Sequence, residues 1–186
     1  PAEVLINMGT CNAKLGKIPE ATEKLQKVYD NYDKIRTREQ WMLHNAFMDL
    51  AGQWIEKAMP AEGIAFIDKN DGPLRFSPYE SFQYGFNNKM LKLAQEASSG
   101  ENASDSLALR FYTLIPRTED AISELEDRKS FERSDKGKAK IQEKIDELSA
   151  TISGGTSVDI QGLRLLAYIY EKNNNFRGAY SIHDYL

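Results

Sequence analysis

The sequence predicts an all-α chain of antiparallel helical hairpins, with about ten helices. Three observations predict it. Apolar residues recur at three- and four-residue steps along most of the chain, the spacing of one helical face. Proline and capping-type residues stand where such runs begin, and glycine or asparagine clusters where they end. Small residues occupy Gly9, Ala21, Ala51, Gly63, Ala167 and Ala179, positions at which a large side chain would hold paired helices apart.

The opening stretch, AEVLINMGTCNAKLGKIPEATEKLQKVYDNYD, reads as two short helices over residues 3–14 and 19–32. Leu15-Gly16-Lys17 makes the turn between them, and Pro19 suits the first turn of the second helix, where its missing N–H costs nothing. Thr37 and Gln40 form a capping-box pattern that starts the next helix. Trp41, Ala46, Phe47, Leu50, Ala51, Trp54 and Ile55 then mark its buried face. Pro60 opens a shorter helix to residue 69, which Asn70-Asp71-Gly72-Pro73 closes.

Ser77, Pro78 and Glu80 start an aromatic helix running to residue 97, with Tyr79, Phe82 and Phe86 on one face. Its partner spans residues 103–115 and stops before Pro116, because a residue preceding proline leaves the helical region. Residues 118–133 and 135–152 are dense in both charges, and their apolar positions narrow to Ile122, Leu125, Ile141, Ile145, Leu148 and Ile152. Such a seam predicts a two-helix hairpin turning near residues 134–137, with a solvated charged coat. After Ser153-Gly154-Gly155-Thr156-Ser157 comes a last pair. Leu163, Leu166, Ala167 and Tyr170 lie on one helix, Asn173 to Asn175 turn the chain, and Phe176, Ala179 and His183 lie on the other.

The first stretch, with Gly9, Ala21 and the Leu15-Gly16 turn, resembles a tetratricopeptide repeat, a helix-turn-helix unit of roughly 34 residues. Residues 2–35 form one such unit, residues 44–72 a degenerate second and residues 159–186 a third, with divergent hairpins at 77–116 and 117–153 between them. The resemblance implies one domain over residues 1–186, stacked as a right-handed superhelical solenoid. It implies a non-enzymatic scaffold that binds a peptide or protein partner on its concave, first-helix face. Ile6, Thr10 and Ala13, beside Glu3, line that face in the first unit. Arg164 and Tyr168, beside Gln161 and Leu165, line it in the last. The lysine and asparagine with which family members capture acidic chain termini are absent there, so an extended or helical peptide is the expected ligand; the alternative is that Ile6 and Tyr168 simply pack against adjacent helices. The resemblance extends to bacterial repeat proteins that act in envelope assembly or complex formation.

Leu186 falls inside the last helix of a unit, so the sequence is expected to be a fragment of a longer chain or to self-associate through that incomplete repeat. Two other readings compete. One is a structural segment without independent binding. The other is a small-ligand sensor with a pocket around Trp41, Trp54 and the aromatics of residues 79–86.

Composition narrows the function classes. A chain of 186 residues with 41% hydrophobic content buries roughly 70% of its unfolded surface. A net charge of −4 lacks the concentrated basic face that nucleic acid requires. No apolar run approaches the roughly 20 residues of a membrane span. Cys11 is the sole cysteine, so no internal disulfide forms and the compartment stays open. Residues 9–17 fail as a phosphate loop, since the spacing is too long and Ile18 replaces the required hydroxyl residue. His44 reads as a surface or hydrogen-bonded structural residue, His183 as half-buried packing, and Cys11 as a small buried hydrophobe. No catalytic constellation, cofactor site or metal site is expected from these residues.

Overall fold

The computed structural model describes residues 2–75 and 85–186. All regular structure among these residues is helical, with no strand. The elements are α1 (Ala2–Lys14), α2 (Ile18–Tyr29), a 3-10 turn (Tyr32–Lys34), α3 (Thr37–Glu56), α4 (Pro60–Lys69) and α5 (Asp71–Leu74). There follow α6 (Phe86–Ala97), α7 (Asp105–Thr113), α8 (Thr118–Phe131), α9 (Asp135–Ser153), α10 (Val158–Lys172) and α11 (Phe176–Tyr185). The chain divides into two compact units: Pro1–Arg75 with Leu93–Arg110, and Phe76–Lys92 with Phe111–Leu186. The predicted start signals at Ser77, Pro78 and Glu80, and the aromatics Tyr79, Phe82 and Tyr84, lie outside the described residues.

In the first unit, α1, α2 and α3 pack on one another, and α4 packs on α3. The α1–α2 turn depends on Gly16, whose φ of +70° is a conformation that L side chains rarely adopt. Close approach of α1 and α2 depends on Gly9: a Cβ there would lie 2.7 Å from Leu25 Cγ. Gly63 plays the same part for α4, where a Cβ would sit 3.1 Å from the Trp54 ring and 3.0 Å from Leu107. All six small positions predicted to mediate helix packing are buried. Within the first unit Phe47, Trp54 and Phe66 form an aromatic centre, with Phe47 and Phe66 stacked at 6.2 Å and Trp54 at 5.4 Å from Phe66. Each such side chain removed from water contributes about 1.5–3 kcal/mol.

The second unit contains two hairpins. Helices α8 and α9 meet through Ala121, Leu125, Ile145 and Leu148, with Ile122 and Ile141 partly buried against them. Ser134 caps α9 by accepting a hydrogen bond from the Gly137 N–H at 3.0 Å. Helices α10 and α11 form the other hairpin; Tyr170 lies over Gly178, where a Cβ would come within 2.7 Å of its ring. Asp159 ties α10 to the start of α8, accepting from the Thr118 hydroxyl at 2.6 Å and from the Thr118 N–H at 3.2 Å. A carboxylate at a helix N-terminus also meets the positive end of the helix dipole.

Several sequence expectations need correction. Helix α3 is capped one residue earlier than Thr37: the Arg36 N–H donates to Glu39 Oε2 at 2.9 Å, so Glu39 takes the role expected of Gln40. Helix α2 ends at Tyr29 and the chain tightens into the 3-10 turn, which sets Tyr32 outside the helix. Cys11 is exposed rather than buried, because α1 turns Gly9 and Ala13, not Cys11, toward α2 and α3. His183 is exposed, with Nε2 3.0 Å from Glu171 Oε1. Phe176 is exposed as well, since Ala179 alone faces the hairpin interior fully on α11.

Candidate functional site

The residues predicted to line a concave face do not share one environment. Ile6 and Ala13 are 1% and 0% exposed: their side chains face the packing of α1 on its neighbours and offer no surface to a partner. Thr10, half-buried between them, returns its hydroxyl to the Ile6 carbonyl at 3.0 Å. Arg164 and Tyr168, by contrast, are exposed one turn apart on α10. The candidate face therefore narrows to the α10–α11 hairpin. Tyr168 is 56% exposed, and Phe176, Tyr180 and Tyr185 of α11 are more open still. The sequence spacing puts Phe176, Ala179 and His183 at packing positions of α11 and gives no sign of how much aromatic surface this hairpin shows. Trp41 and Trp54 do not form a shared pocket. Trp54 is fully buried and Trp41 half exposed, and thirteen residues of helix separate them by about 20 Å.

A second arrangement sits in the first unit, where α2 ends. A cleft of about 370 Å³ is lined by residues 29–34 on one side and by Gly72 and Pro73 on the other. Its two walls are held together by amides: Gln26 and Asn70 exchange hydrogen bonds of 2.9 and 3.0 Å, and Asn70 also donates to the Phe66 carbonyl at 2.8 Å. His44 of α3 fastens the same junction. Its Nδ1 lies 2.7 Å from the Gln40 carbonyl and its Nε2 2.8 Å from the Pro73 carbonyl. Tyr29 and Tyr32 both meet the imidazole edge to face.

Burial lowers the His44 pKa to about 4, against the raising effect of its two carbonyl neighbours. The ring is therefore neutral at pH 7, and its single N–H donates to only one of the two carbonyls. Tyr29 is buried, and among the described residues its hydroxyl has no hydrogen-bond partner. Burial, followed by the charge of Tyr32, pushes its pKa well above the ordinary tyrosine value, so it remains a neutral O–H group.

No protein-family model, curated protein or solved structure matches this chain. The tetratricopeptide reading thus rests on the chain's own residues. Among the described residues, no group of three or more histidine, cysteine, aspartate or glutamate side chains is placed to hold a metal ion. No helix among them is long and apolar enough to cross a membrane.

Proposed function

We propose that this chain is a non-enzymatic interaction scaffold of tetratricopeptide type, a right-handed stack of helical hairpins, and that it binds a peptide or protein partner on the α10–α11 hairpin. The observation that carries this reading is the number of open aromatic side chains on these two helices: Tyr168, Phe176, Tyr180 and Tyr185, with exposed Arg164 one turn before Tyr168 on α10. Exposed apolar groups in one place mark interaction surfaces, and tyrosine and arginine are favoured anchors in them. Buried small residues at Gly9, Ala21, Ala167 and Ala179 support the repeat-type hairpins. Arg164 and Tyr168 are the proposed first contacts.

Affinity capture with the native chain and with an Arg164→Ala, Tyr168→Ala double variant tests the reading. Loss of both side chains should reduce partner retention by about tenfold or more, while the helical circular-dichroism signal and unfolding midpoint stay unchanged. Equal retention by the two proteins moves the contact surface elsewhere.

A further inference from the structure

We infer that the cleft at the end of α2 is a binding site for a guanidinium group, carried by a small molecule or by the arginine side chain of a peptide. This stands apart from the partner surface on α10–α11 and does not depend on it. The cleft's volume of about 370 Å³ falls in the range of small-ligand sites, roughly 300–1,000 Å³. Its walls are fixed by the Gln26–Asn70 amide pair and by His44 on the Pro73 carbonyl, so it exists before a ligand arrives.

The lining decides the ligand's chemistry. The cleft lies at the C-terminal end of α2, the negative end of the helix dipole, which favours a cation. Two carboxylates line it, in different states. Asp30 is engaged, 3.4 Å from the Lys69 ammonium and accepting from the Gln26 amide at 2.8 Å. The exposed carboxylate of Asp33 has no ion pair or hydrogen bond among the described residues. Lys34 directs its ammonium to the Asn31 side-chain carbonyl at 3.3 Å.

Tyr29 and Tyr32 also line the cleft, their rings parallel to within 5° at 6.3 Å. Among the described residues, the buried hydroxyl of Tyr29, a side chain that lines the cleft, has no hydrogen-bond partner, a rare condition for a buried polar group. An open carboxylate beside the partly exposed Tyr32 ring suits a cation that is planar, forked and weakly hydrated. Guanidinium has those properties: it pairs with carboxylates through two N–H groups and stacks on aromatic rings, whereas an ammonium is a compact, strongly hydrated point charge.

Isothermal titration of the full chain with N-acetyl-arginine methylamide tests the assignment, with N-acetyl-citrulline methylamide as the neutral shape match. The arginine derivative should bind with a Kd below about 10 mM, and the citrulline derivative about tenfold more weakly. Asp33→Asn should weaken arginine binding by about fivefold or more. Asp33 is exposed, so this variant keeps the fold. Tyr32→Leu, checked for an unchanged unfolding midpoint, should weaken binding further. Titration with agmatine separates the sources. Tighter binding of agmatine identifies a free small molecule, and tighter binding of the capped arginine identifies a peptide side chain. Equal affinity for citrulline, an unaffected Asp33→Asn variant, or no heat from either cation up to about 10 mM overturns the assignment.

Discussion

The helices α1–α4 and the hairpin α8–α9 obey the same three- and four-residue apolar spacing, yet they are stabilised very differently. In the first region Leu25, Leu43, Phe47, Leu50 and Trp54 are all fully enclosed, because each helix has neighbours on more than one side. In the hairpin the enclosed set shrinks to Ala121, Leu125, Ile145 and Leu148, and Phe131 at its tip is 84% exposed. Periodicity makes a segment helical; the number of covered faces sets how much each side chain contributes.

Substitutions graded along that difference sharpen or break it. Trp54→Ala should have the largest effect, a loss of about 3–5 kcal/mol in urea unfolding, since its ring packs on Phe47 and Phe66 and under Gly63. A loss below about 1 kcal/mol would mean that the aromatic centre is loosely packed and the contrast is false.

Acid should come next. His44 has a folded-state pKa near 4 against an ordinary value of 6.5, so the folded chain binds fewer protons than the unfolded chain between those pH values. Stability from this group is therefore complete above pH 6.5 and falls as the pH drops toward 4, by up to about 3 kcal/mol. Unfolding measured across that window should show the decline, and His44→Gln should flatten it. A native profile as flat as the variant's would show that the histidine is charged within the fold.

Leu148→Ala in the hairpin should cost about 2 kcal/mol, the low end for a buried leucine, because its buried cluster holds only Ala121, Leu125 and Ile145 besides Leu148 itself. A cost equal to that of Trp54→Ala would erase the distinction between the regions. Phe131→Ser should change stability by no more than about 0.5 kcal/mol, and a larger loss would show that this ring is covered in solution.

Local chemistry made much of the molecule legible. Pro60 at the start of α4, Gly16 in the first turn, Ser134 before α9 and the Ile145–Leu148 seam each act through neighbours within a few residues. So most helix positions and turns and the six buried small residues follow from the sequence by itself, whereas Asp71–Leu74, expected to lie in the stretch that closes α4, forms the one-turn helix α5. Which side of a helix meets protein and which meets water is a non-local property. Ile6 and Arg164 look alike in helical register, yet one lies in a core and the other in solvent, because α1 is covered by two helices while α10 leaves one side open. The cleft escaped sequence reading for the same reason. The run of two tyrosines and two aspartates between residues 29 and 33 is visible in the chain, but the facing wall comes from Gly72 and Pro73, some forty residues on. The buried environment that lowers the His44 pKa is likewise assembled only by folding, when the Pro73 carbonyl and the rings of Tyr29 and Tyr32 close around a side chain that reads as unremarkable in isolation.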